Sequence, residues 1–207
     1  MDHYNSNETA EKYDQTFRRG IKEPKNTGKA IERYNRFIQN VRKSGPILDA
    51  GCGTGRFVSY FNRDGFKVTG IDSSQAMINI AIRENPNVDF YVMDMRKLKF
   101  QNNQFDGIWN SGCILHLDED GVRLTFSESK RVLNPGGVLF VSTRTADKDF
   151  FAIENSSEGG NIPVNYYSTK TLQKLLTETG FEVLFITVDN DDYGRPFDYC
   201  YILSRSI

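Results

Sequence analysis

"ILDAGCGTG", residues 47–55, is the stretch whose reading decides the fold. An apolar run ends in a carboxylate, Asp49, and glycines follow at every second place, Gly51, Gly53 and Gly55. The run reads as a buried strand, and glycines after it let a backbone approach a ligand or a neighbouring helix closely. The next segment, RFVSYFNRDG (56–65), carries Phe57, Tyr60 and Phe61 at helical spacing and stops at a glycine. Strand, glycine turn and helix begin an α/β unit, and such units bind ligands beyond the carboxyl ends of their strands.

The alternation continues outward. KVTGID (67–72) is a second strand, and SSQAMINIAIREN (73–85) is a helix that Ser73 or Ser74 can cap. Met77, Ile78, Ala81 and Ile82 form its apolar stripe. VDFYVMD (88–94) and FDGIWNS (105–111) are further strands. DEDGVRLTFSESKRVL (118–133) is helical and stops at Asn134-Pro135-Gly136-Gly137, before a fifth strand, GVLFVST (137–143). Residues 144–166 read as a long loop, a length usually reserved for lids or disorder. STKTLQKLLTETG (168–180) is a helix. FEVLFITV (181–188) and FDYCYILSRS (197–206) are two strands able to pair as a hairpin.

This order predicts a doubly wound, Rossmann-like α/β sheet, mostly parallel with one antiparallel strand. The connector KLKFQNNQ (97–104) is too short for a convincing helix, so a turn or a degenerate helix must serve. Two amphipathic segments, about 8–19 and 27–43, fall outside the sheet domain at 45–207. They are expected to form an N-terminal helical cap, residues 1–44, over the sheet's carboxyl edge.

The chain has 207 residues, 38% of them hydrophobic and 26% charged, enough apolar matter for a globular core. A formal charge of −1 argues against a nucleic-acid partner, and the basic residues of the first 43 are interleaved with acids as on a solvated helical face, so none is expected. Cys52, Cys113 and Cys200 are scattered, with neither a disulfide framework nor a zinc spacing, which suits a reducing compartment. No apolar run is long enough to cross a membrane, and the N-terminus is polar and acidic, unlike a leader. A soluble cytoplasmic protein, monomer or homodimer, is the expectation. No metal site is expected either: Asp189, Asp191 and Asp192 read as a hairpin turn.

The glycine spacing narrows the ligand. Gly51-x-Gly53-x-Gly55 runs into Arg56 and Phe57, which is not the G-x-G-x-x-G of a dinucleotide site. No Gly-Lys-Ser/Thr ends the turn, so it is not a P-loop. Asp49 would repel a pyrophosphate but can hold an ammonium. Asp72 ends the second strand, where an acid accepts ribose hydroxyls. Asp94 ends the third and can accept from an adenine amino group, and Asn110 and Ser111 end the fourth. A cationic amino acid, a ribose and an adenine are together S-adenosylmethionine.

Residues 45–207 resemble the class I S-adenosylmethionine-dependent methyltransferases. The matching pieces are "ILDAGCGTG", "GIDSSQAMINIA", "FYVMDM", "FDGIWNSGCILHL" and "RVLNPGGVLFVST". The resemblance implies a seven-stranded sheet and a set of cofactor contacts. Gly51 and Gly53, with Gly55 completing the loop, would lie against the methionine part and ribose. Asp49 and Asn110 would meet the amino group, and Asp72 the ribose hydroxyls. Ser73 and Met77 would line the adenine pocket, and Asp94 would read the adenine amino group beside the Met95 backbone. Arg56, Tyr4, Tyr13 and Arg19 would cover the cofactor or pair with its carboxylate.

A sulfonium is a strong methyl donor, so the protein's task is alignment and exclusion of water. A base helps only when the nucleophile carries a proton of high pKa, and His116, in "CILHL", is the candidate. A histidine that merely packs beside the cofactor is the plainer alternative. Arg144 closes the fifth strand as an anion binder or a surface arginine. Aromatics around the acceptor side (Tyr4, Tyr13, Phe17, Trp109, Phe150, Phe151, Tyr166 and Tyr167), of which Trp109 reads as core within its strand, suggest a small, uncharged or aromatic acceptor methylated at oxygen or nitrogen. An RNA or protein methyltransferase, or a non-catalytic cofactor-binding protein, is the competing expectation.

Overall fold

The computed structural model describes residues 28–155, 161–190 and 197–207. The chain enters on α1 (Gly28–Asn40) and then alternates: β1 (Pro46–Ala50), α2 (Arg56–Arg63), β2 (Lys67–Asp72), α3 (Gln75–Glu84), β3 (Asp89–Val92) and β4 (Phe105–Ser111). A single 3-10 turn, Ile114–His116, leads to α4 (Glu119–Val132) and β5 (Leu133–Arg144). Then come β6 (Phe150–Asn155), β7 (Asn161–Tyr166), α5 (Thr169–Glu178), β8 (Phe181–Asn190) and β9 (Asp198–Ser206).

The main sheet has seven strands in the order β3-β2-β1-β4-β5-β9-β8. β3 through β5 are parallel, and β9 alone runs against its neighbours on both sides. The chain builds outward from β1 to β3 and then returns to lay β4 beside β1. The reversal opens a crevice at the carboxyl ends of β1 and β4, where such sheets bind ligands.

Side chains alternate across the strands, and the two faces bury separate cores. Leu48, Ile71, Ile108, Leu139, Val141 and Ile202 face α4 and α5 through Phe126, Leu172, Leu175 and Leu176. Ile47, Val68, Trp109, Val138, Phe140 and Leu203 face α1 and α2 through Tyr34, Phe37, Val58 and Phe61. Trp109 stacks on Phe140 with ring centroids 3.8 Å apart, and Phe37 meets Trp109 edge-on at 5.2 Å. Gly107 in β4 is what admits α1: a Cβ there would lie 2.8 Å from both Phe37 Cζ and Val41 Cγ2.

Two sequence expectations change. The segment 27–43 was expected in a cap over the carboxyl edge. Instead α1 packs on a face of the sheet, because its stripe of Tyr34, Phe37 and Val41 finds an aromatic core there. The other segment, 8–19, lies outside the described residues. The long loop 144–166 holds a two-stranded antiparallel ribbon, β6 with β7. Pro163 suggested a loop, but it tolerates this two-stranded ribbon because every strand in it is an edge. The connector between β3 and β4 contains no helix. It is held from α4 instead. Arg131 donates to the carbonyls of Leu98 (2.9 Å) and Phe100 (2.8 Å), and Glu128 accepts from the Leu98 N–H at 2.8 Å.

Phe37 is fully buried between α1 and the sheet. Phe37→Ala should lower unfolding stability by about 3–5 kcal/mol, read from the urea midpoint, with the slope unchanged.

Candidate active site

The glycine loop is hung on the end of β2. The N–H groups of Gly51 and Cys52 both donate to the Ile71 carbonyl at 2.8 Å. Gly53 N donates to Asp72 Oδ2 at 2.9 Å, and Ser74 N to Asp72 Oδ1 at 2.9 Å. Gly51 sits at φ +83°, and a Cβ there would fall 2.2 Å from Cys113 Sγ. A Cβ on Gly53 would meet nothing within 4 Å, so the loop is open above it. Gly55 is also left-handed and opens α2, whose first residue is Arg56. Ser74, not Ser73, caps α3 by accepting from Met77 N at 3.1 Å, and Met77 is buried.

Two buried acceptor atoms stand at the carboxyl ends of β1 and β4. Asp49 Oδ2 and Asn110 Oδ1 have no hydrogen-bond partner among the described residues. Asn110 Nδ2 is satisfied by the Ala50 carbonyl at 3.1 Å and Met95 Sδ at 3.3 Å, which leaves its oxygen facing elsewhere. Burial pushes the Asp49 carboxyl up to about 8; Asp72 adds to the rise and Arg56 opposes it. An ammonium brings three donors and a positive charge, which suits two orphaned oxygens, one of them a reluctant carboxylate. Asp72 keeps lone pairs beyond its two backbone bonds and can accept further donors.

Asp94 lies just past β3 rather than at its end. It accepts from the Arg96 N–H (2.8 Å) and from the Arg96 guanidinium, Nη2 at 2.8 Å. Burial alone would raise its carboxyl, but the Arg96 hydrogen bonds hold it below the usual range. The sequence reading did not pair these two residues; their spacing, i and i+2 in a tight turn, was the available signal.

His116 is buried in the 3-10 turn after β4, and its Nδ1 lies 3.1 Å from the Pro163 carbonyl in β7. Burial lowers its pKa to about 4; the Pro163 contact works against the fall, and Arg144 adds to it. A lowered value means a neutral imidazole at ordinary pH, whose Nδ1–H donates to that carbonyl. The ribbon is fastened to this turn at further points. Tyr167 donates to the Leu117 carbonyl, Asn165 approaches the Leu115 carbonyl, and Leu115 packs under Val164 and Tyr166. Arg144 is no surface arginine. It is 5% exposed and pairs with Glu154 of β6.

The structure thus gathers Asp49, Gly51, Gly53, Asp72, Met95 and Asn110 around one crevice. Tyr4, Tyr13 and Arg19 lie outside the described residues. Asp189, weighed as a cation ligand, instead pairs with Lys29 and with Arg33 at 2.9 Å, and Asp191 and Asp192 lie outside the described residues. Among the described residues no group of three His, Cys, Asp or Glu side chains is placed to hold a metal. No helix there is long and apolar enough to cross a membrane.

A family model described as a methyltransferase domain matches residues 47–137. The chain is 32% identical over 189 residues to an O-methyltransferase of Pyrenophora dematioidea, spanning 85% of this chain and 68% of that one. It is 33% identical over 132 residues to a malonyl-acyl-carrier-protein O-methyltransferase of Erwinia pyrifoliae, and there it spans about half the relative's length, 49%. In fold it is similar to the 1,6-didemethyltoxoflavin-N1-methyltransferase of Burkholderia thailandensis, solved with S-adenosylhomocysteine. The TM-score is 0.76 at 18% identity, over 98% of this chain and 91% of that one. The family match and the O-methyltransferase relative place the chain among methyl-transferring α/β enzymes. The chain belongs to the class I S-adenosylmethionine-dependent methyltransferases, and S-adenosylmethionine is its cofactor.

The raised Asp49 pKa has a consequence for stability. The folded value, about 8, lies above the ordinary carboxyl value of 3.8, so the protonated acid is what the fold accommodates. Its contribution is whole below about pH 4 and is lost as pH rises through 8. Asp49→Asn, which stays neutral, should therefore gain stability relative to the parent between pH 4 and 8, by denaturant titration without cofactor. A constant difference across that range would refute the buried, protonated state.

Proposed function

We propose that this chain methylates an oxygen of a small, uncharged or aromatic acceptor by direct in-line displacement from S-adenosylmethionine. The observation that carries the cofactor half is the pair of orphaned oxygens, Asp49 Oδ2 and Asn110 Oδ1, beside an open glycine loop. They suit the amino group of the methionine part. Asp72 would take the ribose hydroxyls, with Gly51, Gly53 and Gly55 giving room for the chain between them. Ser73 and Met77 would border the adenine, and Asp94 and the Met95 backbone would read its edge. Asp94 can do so while paired with Arg96, since a carboxylate has more lone pairs than Arg96 uses. Arg56, Tyr13 and Arg19 remain the candidates for the carboxylate end.

The cofactor, when bound, supplies a methyl group on a sulfonium. The protein's residues align an acceptor with it and exclude water. The O-methyltransferase relative supports oxygen as the acceptor atom. The acceptor side offers Tyr166, stacked on Phe150 at 4.3 Å, and the apolar contacts of Ala152, Ile162 and Phe197. His116, tethered through Nδ1 to the Pro163 carbonyl, would be the group that takes a hydroxyl proton from the acceptor. So weak a base suits a hydroxyl that is already acidic, a phenol or enol near pKa 10, better than an aliphatic alcohol.

Two measurements test this. Asp72→Asn should weaken S-adenosylhomocysteine binding tenfold or more by calorimetry, the loss of a charged hydrogen-bond acceptor; unchanged affinity would sink the ribose assignment. His116→Ala should lower turnover of a phenolic acceptor about 10²-fold while leaving S-adenosylhomocysteine affinity intact. Full turnover in that variant would leave alignment as the whole mechanism.

A further inference from the structure

Arg144 ends β5 at the carboxyl edge, two residues past Ser142, which is hydrogen-bonded to Ser111 at the end of β4. It therefore lies at the carboxyl edge of the sheet, one strand beyond β4. Its Nη1 pairs with Glu154 of β6 and lies 3.2 Å from the Tyr166 hydroxyl. The Tyr166 hydroxyl in turn donates to Glu154. The Phe197 ring covers the guanidinium, 3.9 Å from its carbon, and the Tyr199 hydroxyl faces it from β9. Arg144 Nε is buried and has no hydrogen-bond partner among the described residues.

A buried guanidinium N–H without an acceptor is costly, and folded proteins leave few of them. The charge of Arg144 is already offset by Glu154, so the surplus is a directional donor and not an unmatched cation. Such a donor wants a neutral oxygen. A second carboxylate brought to Nε would approach Glu154 and be repelled.

We infer that Arg144 Nε binds a carbonyl-type oxygen of the methyl acceptor, and that Glu154 sets the preference for a neutral acceptor over an anionic one. Arg144 is then a specificity-determining residue and Glu154 the group that tunes its charge. This rests on the methyltransferase reading above and names the acceptor class within it: a hydroxyl to be methylated together with a neutral carbonyl.

The test uses salicylamide and salicylate, each with a phenol beside a carbonyl group, differing in charge. Their binding is read by ligand-observed NMR to the protein saturated with S-adenosylhomocysteine. The parent should favour salicylamide about tenfold or more. Glu154→Gln keeps the hydrogen bond to Tyr166 while exposing the charge of Arg144, and should shift the ratio about tenfold toward salicylate. Arg144→Lys keeps a cation but has no Nε–H, and should lose salicylamide binding while retaining its melting temperature and S-adenosylhomocysteine affinity. Absence of salicylamide binding to the parent, an unchanged ratio in Glu154→Gln, or parent-like salicylamide binding in Arg144→Lys would each overturn the inference. Failure of the parent to bind S-adenosylhomocysteine would instead overturn the reading on which it rests.

Discussion

The crevice depends on one carbonyl and one carboxylate at the end of β2. The Ile71 carbonyl takes two N–H groups from the glycine loop, and Asp72 takes a third from Gly53. A loop with three left-handed residues has high conformational entropy when unfolded. These bonds fix it in one shape, and they do so from a neighbouring strand. The position of the loop is therefore set by sheet register: Asp49 pairs with Gly70 and Ala50 with Ile71. Everything the site does follows from that register. It places Asp49 beside Asn110 across the reversal of strand order, and it brings Asp72 near enough to Asp49 to raise its pKa.

Two kinds of polar burial meet at the same edge. Among the described residues, Asp49 Oδ2 and Asn110 Oδ1 are buried acceptors without donors, and Arg144 Nε is a buried donor without an acceptor. Such groups cost stability when left alone, so each marks a place where binding can recover what folding gave up. That the two sets have opposite polarity fits two different ligands side by side. One is rich in donors at its amino end, and the other offers an oxygen.

Much of this was legible in the residues. The order of strands and helices was read within a few residues, because β1, β2, β4 and β5 are buried runs separated by strong glycine and proline punctuation. Asp49, Asp72 and Asn110 were readable because each ends a strand on the same edge. The β6–β7 ribbon was missed because Gly159, Gly160 and Pro163 signal a loop locally, while the pairing of Phe150 with Tyr166 is set by tertiary contact. The place of α1 was missed for a similar reason: its stripe reveals that it packs, not against what. The Arg144–Glu154 pair joins the end of one strand to an unrecognised one, and no local pattern carries it. His116 was a candidate by its type and position, and its neutral, tethered state, which comes from burial under the ribbon, was not readable in the sequence.

A two-stranded ribbon is marginal on its own in water. The β6–β7 ribbon is ordered through its anchors to the turn after β4 and the end of β5. It is therefore a separate cooperative unit, able to open at a free energy below that of the sheet. Its amides would exchange with solvent while those of β1, β4 and β5 stay protected. The wall proposed to meet the acceptor can then drift in sequence without disturbing the glycine loop and the strand ends that hold it.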